Sequence, residues 1–282
     1  MSHDGPGDDT ATLGSAAGDY TDRTGLGLRL DGPVLHITID RPERRNALTD
    51  GMIDDLIEVL EAANEDERVR AIVLTGTGND FCTGFDLGGR GGAKLRTGAT
   101  QRRLPTHAHR LVSLVATIQV PVVAAVRGFA AGIGLHLALA ADFCVVADDA
   151  RLWEPFVARG FTPDSGATWL LPRLIGVARA KQMLLLGDEI DGVTAERWGL
   201  VARSVSAPEV AATADALAGR LASGPTVALG LTKTLLHEGQ NASFDAHLAR
   251  EALALELSSR SDDFKAGMRA LAEKRAPDFT GR

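Results

Sequence analysis

PVVAAVRGFAAGIGLHLALAAD, residues 121–142, decides how the chain is read. Its first half is a continuous run of valine and alanine ending before Gly128, the pattern of a strand buried on both faces. Gly132 and Gly134 then form a turn where the backbone can approach a ligand closely. A helix follows, and its first N–H groups have no partner within the helix. One imidazole, His136, stands between Leu135 and Leu137. Composition alone leaves it open between a hydrogen-bonded core histidine and an active-site group.

Working outward, strands alternate with helices. VLHITID (34–40) alternates and is β-branched, so it reads as a strand. Thr49 caps a helix that places Met52, Leu56, Leu60 and Ala63 on one face. Residues 71–75 and DFCVVADD (142–149) read as further short strands. Such alternation predicts crossover connections and a largely parallel sheet, an α/β fold. After Pro208 the pattern becomes almost wholly helical. The expected organisation is a disordered leader at 1–24, an α/β core at 25–207 and a helical region at 208–282.

The 282 residues are 45% hydrophobic and 24% charged, which suits one large α/β core with an appended helical piece. A net charge of −7 argues against nucleic acid or an anionic membrane surface as the main partner. The N-terminal stretch has no apolar h-region, and the longest apolar run, 129–141, is too short to span a bilayer. Cys82 and Cys144 both lie in apolar surroundings, as reduced thiols of a cytoplasmic protein do, and they form no disulfide framework or metal cluster.

The glycine-rich segment 75–89, TGTGNDFCTGFDLGG, lacks the phosphate-loop lysine. The turn at 132–134 lacks the third glycine of a dinucleotide fingerprint, which would fall at Leu137, so a nicotinamide cofactor has little support. Two such loops, each aiming an N–H at one spot, would make an oxyanion hole, or the glycines merely permit tight turns. His107 and His109 form an H-x-H with no third ligand nearby, so they read as surface or rim histidines, with no metal. Arg96, Arg102 and Arg103 read as a solvated basic loop, and Asp86 as the cap of a turn.

Five motifs occur in one order: RPERRNAL (41–48), FCTGFDL (81–87), residues 121–143, WEPFVARGFTPDSGATWLLPRLIG (153–176) and DDFKAGMRALAEKRAPDFTG (262–281). In these the chain resembles the crotonase, or enoyl-CoA hydratase/isomerase, superfamily from about Leu28 onward. The resemblance implies a spiral of ββα units with a C-terminal helical trimerisation region, as a homotrimer or a hexamer built from two trimers. It implies an acyl-CoA substrate, with coenzyme A present as part of that substrate and no permanently bound cofactor. It assigns the backbone N–H groups of Phe85 and Ile133 to the oxyanion hole. Arg41, Arg45, Ala47 and Lys274 fall where family members bind coenzyme A.

The resemblance also marks a departure. Hydratases of the family carry two glutamates, and their positions hold His136 and Phe156 here. Asp164 falls where a subset keeps its base, and PDSGATWLLPR most resembles the ring-epoxide isomerase group of phenylacetyl-CoA breakdown. An aspartate before a helix is equally an ordinary N-cap. The expected reaction is double-bond isomerisation with Asp164 as base, Phe156 and Phe161 lining its pocket, and Glu154 in reserve. His136 touches the pocket and is the second candidate catalytic group. The alternatives are an enoyl-CoA hydratase, an acyl-CoA hydrolase or dehalogenase, and a non-catalytic acyl-CoA binder.

Overall fold

The computed structural model describes residues 18–88 and 96–282. Residues 1–17, most of the expected leader, and 89–95, part of the variable loop, lie outside the described residues.

The chain begins with an antiparallel pair, β1 (Leu26–Asp31) and β2 (Val34–Ile39), turned at Gly32 with φ 55°. α1 (Asp50–Glu65) starts at Thr49, whose side chain accepts from Met52 N, and buries Met52, Leu56, Leu60 and Ala63 as the spacing requires. β3 (Ala71–Gly76) follows, then α2 (Ala99–Arg103) and α3 (Ala108–Thr117). The loop expected around Arg102 and Arg103 is thus partly helical, and Arg103 pairs with Asp50 at the start of α1.

β4 (Val122–Val126) is buried at every position, which is why its sequence shows no alternation. β5 (Phe129–Ala131), α4 (Ile133–Ala140), β6 (Phe143–Ala147) and β7 (Arg151–Trp153) come next. α5 (Ala167–Lys181), broken at Gly176, is followed by β8 (Ile190–Asp191), α6 (Gly192–Trp198) and β9 (Arg203–Val205). The last helices are α7 (Val210–Ala222), α8 (Thr226–Gly239), α9 (Phe244–Ser258) and α10 (Asp262–Ala272).

The main sheet has the order β1-β2-β3-β4-β6-β9 and is parallel beyond the first pair, while β5, β7 and β8 form a second small sheet. Leu56 and Leu60 of α1, Leu111 and Val115 of α3 and Leu137 of α4 meet Ile37, Ile72, Leu74 and Val122 on one face. α7 packs on the opposite side. This sandwiching makes the strand pattern parallel and apolar.

α8 is docked by a buried charge. Lys233 Nζ lies 2.7 Å from Asp142 Oδ2 and 3.1 Å from the Val115 carbonyl. Burial lowers the Lys233 pKa, and the Asp142 carboxylate opposes that shift. At the other end, Gly18 N and the Tyr20 hydroxyl donate to Asp66 at the end of α1. Residues 18–24, read as leader, are therefore attached to the core.

Candidate active site

Two loops meet where β5 enters α4. Cys82 N donates to Phe129 O, and Ala131 N donates back to Cys82 O. Leu48 N donates to Gly84 O and Asp86 N to Leu48 O, so Phe85 is held beside Leu48. Gly132 sits at φ 53°, ψ −129°, a conformation glycine tolerates far better than other residues. A Cβ on Gly134 would stand 2.3 Å from the Cys82 carbonyl, so only glycine lets α4 start this close to residues 82–85. Ile133 begins that helix, where an N–H lacks an intrahelical acceptor. The two expected oxyanion-hole residues thus lie on adjoining loops.

One turn into α4, His136 is wholly buried and bonded at both ring nitrogens. Nδ1 is 2.7 Å from Ser165 Oγ, and Nε2 is 3.0 and 3.1 Å from the two Glu154 carboxylate oxygens. The Ser165 hydroxyl reaches Asp164 Oδ1 at 2.9 Å. Phe156 stacks on the imidazole, with centroids 5.9 Å and planes 8° apart, and Phe161 meets Phe156 edge-on at 5.4 Å. Glu154 is fully enclosed, and burial pushes its carboxyl above the usual range while the neighbouring imidazole opposes that shift. Four polar side chains therefore form one line: Glu154, His136, Ser165 and Asp164.

Asp164 does not cap α5. The N-cap is Gly166 at φ 108°, and no side chain caps that helix. Instead Asp164 is half-buried, its main-chain carbonyl bonded to His109 Nε2 at 2.6 Å. Oδ2 has no hydrogen-bond partner among the described residues. Phe161 is more exposed than expected, at 43%. His107 is no surface histidine: it is 6% exposed and its Nε2 meets the Asp50 carbonyl.

Arg41 and Arg45 are engaged within the protein. Arg41 donates to Ala47 O and to Asp86, and Arg45 holds Asp80 through two nitrogens while lying over the Phe129 ring at 4.0 Å. Asp86 also accepts from Gly88 N, as a turn cap does. Arg45 and Asn46 take φ of 51° and 58°, and the buried Asn46 side chain secures that turn through Arg41 N, Thr77 O and Asp80 O. Lys274 is exposed beyond α10 and is not joined to this set by any hydrogen bond or ion pair among the described residues. Sequence reasoning missed Asn46 and Ser165. The only signal for Ser165 was its place beside Asp164.

A family model described as enoyl-CoA hydratase/isomerase matches residues 30–282. The chain belongs to that family. It is 38% identical over 253 residues to the 1,2-epoxyphenylacetyl-CoA isomerase of Escherichia coli, covering 88% of this chain and 95% of that one. It is 40% identical over 248 residues to a Rhodobacter capsulatus protein named "Probable enoyl-CoA hydratase", covering 87% and 94%. The crystal structure of an enoyl-CoA hydratase from Bacillus anthracis superimposes with a TM-score of 0.85 at 30% identity, over 92% of this chain and all of that one. The enoyl-CoA hydratase/isomerase family acts on acyl-CoA thioesters, and its fold is the one described above. Its relatives carry both hydratase and isomerase names.

Beside Ser165 a cavity of about 380 Å³ runs between α3, α5 and α8, walled by Val112, Ala116, Trp169 and Leu170. No group of three or more histidine, cysteine or acidic side chains suited to a metal ion occurs among the described residues.

Proposed function

We propose that the protein shifts a double bond in an enoyl-CoA thioester, with Asp164 as the single base. One observation carries this reading. Both oxygens of Glu154 are taken up by His136 in an enclosed site, whereas Asp164 is half-buried with Oδ2 unengaged. Asp164 takes a proton from the carbon beside the thioester carbonyl, leaving an enolate conjugated with the double bond. The Phe85 and Ile133 N–H groups stabilise its oxygen. Asp164 then returns the proton to the far carbon, so substrate and product are isomers and no water is consumed. The cavity lined by Trp169 and Leu170 takes the acyl chain, and Arg41, Arg45, Ala47 and Lys274 lie along the coenzyme A.

Hydration by two carboxylates is disfavoured because Phe156, stacked on His136, stands where the second glutamate would be needed. Two free, buried thiols fit a reducing compartment, so the reading includes the cytoplasm. α9 buries no residue, and Phe244, Leu253 and Leu255 are 77%, 72% and 65% exposed. Such an apolar surface supports a homotrimer or a pair of trimers. Light scattering after gel filtration tests that part.

The functional test is incubation with 2- and 3-enoyl-CoAs, with the isomers separated by liquid chromatography and any hydrated product recognised by mass. The reading predicts interconversion of the two isomers, lost in Asp164→Asn. Accumulation of a product heavier by one water would instead make the protein a hydratase.

A further inference from the structure

We infer that Glu154, His136 and Ser165 form a proton relay ending on Asp164, in which Ser165 is the connecting hydroxyl. The inference rests on the reading of Asp164 as the base. The geometry leaves the relay two arrangements. Ser165 has one hydroxyl proton and two neighbours, His136 Nδ1 at 2.7 Å and Asp164 Oδ1 at 2.9 Å, so it can donate to only one of them at a time. In the resting arrangement Ser165 donates to Nδ1, Nε2–H donates to the Glu154 carboxylate, and Asp164 is an unprotonated base.

When Asp164 has taken a proton from substrate on Oδ2, a turn about Cβ–Cγ exchanges its two oxygens, and that O–H donates its proton to Ser165 Oγ as the serine proton passes to Nδ1. Two O–H bonds break, one new O–H and one N–H bond form, and Asp164 becomes negative as His136 becomes positive. The products are an Asp164 carboxylate, an unchanged serine hydroxyl and an imidazolium held by Glu154. Reversal returns the proton to Asp164 for delivery to the other carbon.

The enclosure gives this device its purpose. Ser165 and His136 are 1% and 0% exposed, whereas Asp164 is half-open to solvent. A proton passed inward is protected from exchange while the enolate waits. The groups facing the imidazole are Glu154 and Phe156 from the segment after β7, and Ser165 with Asp164 behind it before α5. His109 of α3 bonds only the Asp164 main-chain carbonyl and is not a link in the chain. The raised proton affinity of Glu154, caused by burial, keeps the inner end able to hold a shared proton.

The test follows a 3-enoyl-CoA deuterated at C2, in ordinary water, measuring by mass the fraction of product that keeps the label at C4. Wild-type protein should retain most of the label. Ser165→Ala should lower retention at least threefold and kcat by about tenfold or more, with KM within about twofold, since a proton-transfer link acts on the chemical step. Ser165→Thr should restore both. Equal retention in wild type and Ser165→Ala would overturn the relay even if Asp164→Asn is inactive. An active Asp164→Asn would instead sink the reading of the base. Should the wild type not turn over this substrate, the ring 15N shifts of His136 decide independently of reaction. Assigned with His136→Gln, they must show Nε2 carrying the ring proton and Nδ1 as a bare acceptor in the resting protein. A proton on Nδ1 at rest refutes the relay.

Discussion

Gly134→Ala tests whether close contact between the two loops builds the site. The added Cβ would stand 2.3 Å from Cys82 O and 2.8 Å from Cys82 Cβ and Sγ, all enclosed atoms that cannot swing away. Reaching the 3.0 Å that real Cβ atoms keep requires a separation of roughly 0.7 Å between α4 and residues 82–85. Overpacking of this kind costs about 1–3 kcal/mol, or several degrees in Tm for a chain of this size. The same displacement moves Ile133 N–H from Phe85 N–H, and a misplacement near 1 Å can cost about a hundredfold in rate. Urea unfolding followed by tryptophan fluorescence gives the first quantity and initial rates on an enoyl-CoA give the second. Gly219→Ala on the exposed face of α7, where a Cβ meets nothing within 4 Å, is the opposite-signed control. It should stabilise by about 0.8–1 kcal/mol through helix propensity and leave the rate alone. Wild-type stability and activity in Gly134→Ala would show that close contact between the loops does not build the site.

Other outcomes follow from the same contacts. Lys233→Ala leaves Asp142 without its ammonium partner and should destabilise by about 3–5 kcal/mol in urea melts, unlike a surface lysine. Arg68 holds the Asp66 carboxyl well below the usual aspartate range, helped by Gly18 N and Tyr20. A lowered folded pKa contributes stability above the unfolded value and loses it as pH falls. The stability difference between wild type and Asp66→Asn should therefore shrink below about pH 4 in denaturation curves, and a constant difference would count against it. Burial pushes the Cys82 and Cys144 thiols up to about 12, so thiol reagents at neutral pH should label neither in folded protein and both in denaturant.

The core was legible because its rules are local. The buried face of α1 and its Thr49 cap follow from spacing, and the valine run of β4 follows from burial on both sides. Glu154 shows where local rules stop. An extended chain would point it alongside Phe156, but β7 ends at Trp153 and Phe156 is already helical at φ −65°, ψ −53°. Both side chains still reach the same imidazole, Phe156 across its face and Glu154 at its edge. That partnership is set by tertiary contact between residues 18 apart in sequence, which no periodicity reports. Asp164 failed as a cap for a related reason: Gly166, with its positive φ, starts the helix and frees the carboxylate for Ser165. Family resemblance supplied the positions of His136 and Asp164, and packing supplied the serine between them.

In the proposed reaction Asp164 moves the substrate proton. The most direct test of that step is exchange of the C2 hydrogens of a bound enoyl-CoA with heavy water over prolonged incubation, read by NMR for wild type and Asp164→Asn with ligand binding checked in both. Slow but measurable exchange is expected in wild type and none in the variant, with binding retained. Exchange at the wild-type rate in Asp164→Asn would contradict this role of Asp164.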